Sequence, residues 1–137
     1  MRIIDTQLDG PLLVEPAVHG DQRGFFAETY RANVLAELGI RDEFVQDNHS
    51  RSGLGVVRGM HFAVGDGQAK LVRCVRGAVA DVTYKLSTYY DPATETGVAF
   101  NDPEVDIRWP DVELVYSERD ASAPLLSEIA AELPFSV

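Results

Sequence analysis

Cysteine is nearly absent. Cys74 stands alone among 137 residues, so no internal disulfide can form, and a buried, inert thiol in a reducing compartment is the expectation. Positive charge is scarce too: twelve Lys and Arg face twenty-two Asp and Glu, a formal net charge of −10. Such a surface repels a phosphate backbone, which argues against nucleic acid as a partner. No apolar run approaches the ~18 residues a spanning helix needs, so no membrane is expected. The opening stretch, MRIIDTQLDG, lacks a long apolar segment of the secretory kind, and the expected location is the cytoplasm. Histidine is limited to His19, His49 and His61. No two of them stand at His-x-His or i, i+4 spacing and Cys74 has no cysteine neighbour, so a metal is not expected. Gly-x-Gly-x-x-Gly, a P-loop and Gly-x-Ser-x-Gly are all missing, and with them the usual signals of dinucleotide, nucleoside-triphosphate and serine-hydrolase chemistry.

What is present suits one globular domain. A chain of this length buries about 68% of its extended surface, enough for a single core. Its charge is uneven. From Arg51 to Arg76 five bases (Arg51, Arg58, Lys70, Arg73, Arg76) meet one acid, Asp66, whereas from Asp91 onward eleven acids meet only Arg108 and Arg119. A cationic segment inside an acidic chain fits a small anionic ligand, and ten of the twelve bases are arginines, whose fork matches phosphate. A merely solvated basic face remains the alternative at this level.

The periodicities predict many short strands and two short helices. Edge strands are expected at Arg2 to Asp5 and Leu12 to Val18, with a turn at Asp21-Gln-Arg-Gly24. Tyr30 to Leu38 carries Val34, Leu35 and Leu38 at helical spacing and stops at Gly39. Strands follow at Glu43 to Ser50, Gly55 to Phe62, Ala69 to Arg76 and, after a turn at Gly77, Ala78 to Leu86. Asp91-Pro92 and Asn101-Asp-Pro103 mark turns, Val105 to Trp109 a further strand, and Pro124 to Leu133 a closing helix. The pattern is that of a β-sandwich or barrel. His61 follows Arg58-Gly-Met60 in an otherwise apolar run, where a polar ring needs a partner if buried. Structural and catalytic roles both stay open for it. His19 and His49 fall in loop-like contexts and receive no role.

Read together, several blocks resemble the dTDP-4-dehydrorhamnose 3,5-epimerase family. They are Asp21-Gln-Arg-Gly-Phe-Phe-Ala-Glu28, Gln46-Asp-Asn48-His-Ser, Gly55-Val-Val-Arg-Gly-Met-His61-Phe and Gln68-Ala-Lys70-Leu-Val-Arg. Then come Tyr84-Lys, Tyr89-Tyr-Asp-Pro, Glu95, Asn101-Asp-Pro, Trp109-Pro and Ser117-Glu-Arg-Asp120-Ala-Ser-Ala-Pro. Each is weak alone; in this order they cover nearly the whole chain.

The resemblance implies a mainly β, cupin-like jelly-roll β-sandwich formed by residues 1–137 as a single domain. It also implies epimerisation of a dTDP-4-keto-6-deoxyhexose at C3 and/or C5 in deoxysugar (rhamnose-type or antibiotic sugar) biosynthesis, with no cofactor and as a homodimer. By the same resemblance His61 is the base, Asp120 orients its ring, Tyr84 returns a proton on the opposite face and Lys70 stabilises the enolate. Arg23, Glu28, Gln46, Asn48, Arg58, Glu95 and Arg119 are implied to hold the sugar nucleotide, Arg58 and Arg23 at its phosphates. In an ideal strand Arg58 and His61 point to opposite faces, so a bulge or kink at Gly59 is required to bring both to one pocket.

The resemblance breaks between Val82 and Thr83. Ala80-Asp-Val82 looks like the start of one family strand and Thr83-Tyr-Lys85 like a much later one. The intervening strands, and a loop that carries the family's second active-site histidine, have no counterpart. The fused strand keeps clean alternation, with Ala80, Val82, Tyr84 and Leu86 on one face, while the sheet loses members and exposes edges. Two rival functions stay open: a non-catalytic sugar-nucleotide-binding remnant of the same fold, and a metal-dependent cupin, which the ligand spacing disfavours.

Overall fold

A computed structural model describes residues 1–6, 10–77 and 81–133, and every count below refers to those residues. The chain forms two compact units, residues 1–43 and 44–137.

The first unit consists of two antiparallel hairpins and one helix. β1 (Arg2–Ile4) pairs with β2 (Leu13–Glu15), and β3 (Val18–Asp21) with β4 (Gly24–Ala27). The strand expected over Leu12 to Val18 is thus two strands parted at Pro16, which has no N–H to donate to a ladder. The turn at Gln22-Arg23 lies where expected, and His19 sits in β3, not in a loop. Helix α1 (Ala32–Glu37) buries Leu35 almost completely. It ends at Gly39, whose φ of +93° is the left-handed turn that lets Ile40 N–H reach back to the Leu35 carbonyl at 2.9 Å.

The second unit contains the longer strands. β5 (Gln46–Arg51), β8 (Asp81–Leu86) and β7 (Lys70–Arg76) form an antiparallel sheet in the order β5-β8-β7. β6 (His61–Ala63) pairs with β9 (Glu95–Gly97). β8 runs unbroken across Val82 and Thr83 and is bonded on both sides; residues 78–80, the start of the expected strand, lie outside the described residues. The small core of this unit holds Val57, Leu86, Val98, Ala99 and Phe100. Deleting a buried side chain such as Leu86 would cost about 2–5 kcal/mol.

Three sequence expectations are corrected. Gly55 to Phe62 is not one strand: Gly55 and Gly59 adopt φ of +79° and +147°, and only Val56 makes an isolated bridge, to Val115, before β6 begins at His61. Val105 to Trp109 is not a strand either. The buried Asp102 carboxylate accepts from Glu104 N–H at 2.7 Å and Val105 N–H at 3.0 Å, which folds this segment into turns. The closing helix is split into α3 (Leu126–Ile129) and a 3₁₀ turn, Ala130–Glu132. With α2 (Glu118–Ala121), there are three short α-helices where two were expected. Cys74, expected to be buried, is exposed on β7, an edge strand whose outer side has no partner strand among the described residues.

Candidate active site

Strand β5 shows the site in its burial pattern. Gln46, Asn48 and Ser50 are half-buried while Asp47, His49 and Arg51 are exposed, so the inward face of this strand is polar. A polar inner face contributes little to a core and suits the wall of a binding site. Register places Asn48 opposite Tyr84 and Tyr84 opposite Val72, with Gln46, Leu86 and Lys70 in the adjoining row. Because side chains alternate, Gln46, Asn48, Lys70 and Tyr84 share one face. The same register confirms that Tyr84 shares its face with Val82 and Leu86.

Lys70 reaches from this sheet to the other: its Nζ donates to the His61 carbonyl at 3.2 Å. His61 itself is about one quarter exposed and its Nε2 lies 2.6 Å from Asp120 Oδ1. This bond leaves Nδ1 as the ring nitrogen not engaged by the carboxylate. Asp120 is 5% exposed. Burial pushes its carboxyl upward, but hydrogen bonds from Ser117 and His61 outweigh this and hold it below the ordinary carboxylate range. Ser117 Oγ donates to Asp120 Oδ2 at 2.8 Å and accepts from Asp120 N–H at 3.1 Å, as the N-cap of α2. A buried carboxylate at the ring's Nε2 and an ammonium group at the backbone carbonyl therefore flank His61. Together they can hold a ring ready to take a proton, with a positive charge nearby.

The remaining sequence-predicted residues are engaged within the chain. Arg119 donates to Glu95 Oε2 at 2.7 Å and to the Glu95 carbonyl at 3.3 Å, tying α2 to β9. Gln46 donates to Asn48 Oδ1 at 3.1 Å and accepts from Tyr90 N–H at 2.8 Å. Arg58 donates to Ser52 Oγ at 3.0 Å and lies outside any strand. The expected departure from ideal strand geometry at Gly59 is thus present. In the first unit, Arg23 pairs with Asp21 across the β3–β4 turn and stays largely exposed. Glu28 pairs with Arg31 and lines a pocket of ≈ 230 Å³ with Met1, Ala17, His19 and Phe26.

Two residues of the site escaped the sequence reading. Gly97 stands opposite His61 in the β6–β9 ladder, and a Cβ there would lie 2.6 Å from the Met60 carbonyl oxygen and 3.3 Å from His61 Cδ2. Ser117 stood in the Ser117-Glu-Arg-Asp120 block without a role, and its Ser-x-x-Asp spacing is the signal of a helix N-cap. On the opposite face of the three-stranded sheet, His49 also has a partner. Asp81 accepts from Arg51 at 3.0 and 2.8 Å and lies 3.0 Å from His49 Nε2.

A family model described as dTDP-4-dehydrorhamnose 3,5-epimerase matches residues 5–83 and 80–128. The dTDP-4-dehydrorhamnose 3,5-epimerase of Salmonella typhimurium is 34% identical, with 93% of this chain and 97% of that enzyme covered. The dTDP-4-dehydrorhamnose 3-epimerase of Streptomyces niveus is also 34% identical, with 93% and 85% covered. The crystal structure of a dTDP-6-deoxy-D-glucose-3,5-epimerase from Legionella pneumophila, in complex with dTDP-4-keto-L-rhamnose, superposes with a TM-score of 0.88 at 33% identity, covering 99% of this chain and 98% of that one. The Salmonella alignment runs over 177 positions against 137 residues here, so at least 40 of its positions, the difference of the two lengths, face no residue of this chain. The two family matches meet at residues 80–83, the junction at which the missing strands and loop were placed.

Proposed function

The chain belongs to the dTDP-4-dehydrorhamnose 3,5-epimerase family, has its cupin-like β fold and is an epimerase of dTDP-linked deoxysugars, and on that premise we propose how its residues carry the reaction. The observation that carries the proposal is the 2.6 Å contact between His61 and the buried Asp120. The substrate is a dTDP-4-keto-6-deoxyhexose. His61, through Nδ1, takes the proton from a carbon beside the ketone, and the C–H electron pair moves onto the carbonyl oxygen to give an enolate. Lys70 stabilises the charge that develops on that oxygen. Asp120 stabilises the imidazolium that forms and fixes the ring tautomer. Tyr84 gives a proton to the opposite face of the same carbon, the enolate collapses to the ketone, and the configuration is inverted. Proton inventory balances without a metal or organic cofactor.

Arg58 and Arg23 bind the diphosphate in this reading, and Glu28, Gln46, Asn48, Glu95 and Arg119 hold the rest of the sugar nucleotide. Residues 1–137 act as a single cupin-like epimerase domain in this reading. The chain works as a homodimer, which would cover edge strand β7, where Val72 and Val75 are 60% and 49% exposed. The cytoplasm is the proposed location. Among the described residues no helix is long and apolar enough to cross a membrane, and the net charge of −10 disfavours nucleic acid.

A second reading, a sugar-nucleotide-binding domain without catalysis, is favoured by one feature: the loop that bears the family's second active-site histidine is missing at the residue 80–83 junction. The test is solvent deuterium incorporation into the 4-keto sugar nucleotide, read by mass spectrometry. The native chain should exchange and His61→Asn should not. Equal exchange by both proteins would remove His61 as the base; dTDP binding by both with exchange by neither would establish the binding domain.

A further inference from the structure

We propose that Ser117 is a positioning residue for proton transfer, acting on His61 through Asp120; this rests on the assignment of His61 as the base. The geometry around the carboxylate is fully divided. Oδ1 faces His61 Nε2 at 2.6 Å, and Oδ2 accepts the Ser117 hydroxyl at 2.8 Å. The Asp120 N–H simultaneously donates to Ser117 Oγ at 3.1 Å, which occupies a lone pair and aims the single hydroxyl proton at Oδ2. The terminal torsion of an aspartate is broad and roughly two-fold, so the carboxylate plane is not set by the side chain itself. Ser117 sets it.

The helix that carries both residues is anchored to the strand beside the base. Arg119 holds Glu95 through two hydrogen bonds, and β9 pairs with β6 so that Glu95 faces Ala63 and Gly97 faces His61. Ring strand, helix and carboxylate are thereby tied together at three points, the kind of support that holds reacting groups to a fraction of an ångström. Ser117 also keeps the carboxylate's charge shared between two donors. Without its hydroxyl, the whole anion acts on the imidazolium formed when Nδ1 carries a proton and holds that charged form more strongly, so the Nδ1 base is free only at higher pH.

The test separates this role from simple helix capping. Ser117→Gly removes the hydroxyl while costing little cap stability, because glycine is itself tolerated at an N-cap. Ser117→Thr restores both. The glycine variant should lose about ten-fold in kcat at unchanged KM for the sugar nucleotide, and the acid limb of its kcat/KM profile should move to higher pH. The threonine variant should recover both. Should glycine unfold the chain, Ser117→Ala also removes the hydroxyl without glycine's added backbone freedom, and it should show the same losses. A folded glycine or alanine variant with native kcat and an unmoved acid limb overturns the proposal, whatever its melting temperature. His61→Asn runs in parallel. If it exchanges deuterium at the native rate, the base assignment fails and Ser117 falls with it; if it is inactive while Ser117→Gly is unaffected, only the Ser117 proposal fails.

Discussion

Replacing Asp120 by asparagine removes one unit of charge and almost no volume, which makes it the most discriminating single change to this site. The side chain is 5% exposed and both carboxylate oxygens have partners, His61 and Ser117. An amide in that place has two orientations. With its oxygen toward His61 Nε2, the ring tautomer is kept but the anionic partner of the imidazolium is lost. Unit charges about 4 Å apart at an effective dielectric of about 20 attract by about 4 kcal/mol, which corresponds to about 10³ in rate. With its NH₂ toward Nε2, the ring proton is driven to Nδ1 and the base is blocked, a loss at least as large. Either way Asp120→Asn should lower kcat about 1,000-fold, with KM for the sugar nucleotide changed little, because the missing interaction acts on the transition state. The assay is deuterium wash-in under single-turnover conditions, with a thermal melt to establish folding. A folded Asp120→Asn protein within ten-fold of the native rate would refute the argument that this carboxylate supports the base.

Gly97→Ala should lower kcat about 100-fold in a folded protein, since its Cβ would sit 2.6 Å from the Met60 carbonyl oxygen and 3.3 Å from the His61 ring, and a shift of ~1 Å has that cost; native kcat would show that the ring's position is not critical. The Asp81 carboxyl is held down to about 2 by hydrogen bonds from Arg51 and then His49. A depressed carboxyl contributes stability above its unfolded range, near 4, that disappears as pH falls through about 2. Asp81→Asn should therefore melt below the native protein at pH 7 and converge with it near pH 2, and parallel melting curves across that range would contradict the assignment. Calorimetric binding of dTDP should weaken several-fold as salt rises from low to near-molar ionic strength, and a folded chain that does not bind dTDP at low salt would remove the sugar-nucleotide reading.

Much of the second unit was legible because period-2 alternation is a local property. β5, β7 and the described part of β8 were expected from their residues, and their register leaves Gln46, Asn48, Lys70 and Tyr84 on one face. The junction at Val82 and Thr83 was legible only from the break in the family resemblance, because preserved parity lets the strand be read straight through it. Where local pattern failed, a non-local partner or backbone geometry had decided the outcome. Gly55 to Phe62 reads as a largely apolar strand, yet two glycines at positive φ interrupt it. Val105 to Trp109 alternates, yet Asp102 folds the segment into a turn through backbone N–H groups of residues two and three positions on.

The sequence by itself determined the inventory: a mainly β chain with a lone cysteine, a cationic stretch between Arg51 and Arg76, and a histidine in a block shared with a sugar-nucleotide epimerase family. Only the tertiary structure decided that His61 meets Asp120 across 59 positions of chain, that Gly97 leaves room for its ring, and that Ser117 donates to the same carboxylate. It also decided that Cys74 lies exposed on an edge strand. Composition and periodicity are properties of neighbours along the chain, whereas hydrogen-bond partnership and burial depend on which distant segments fold against one another.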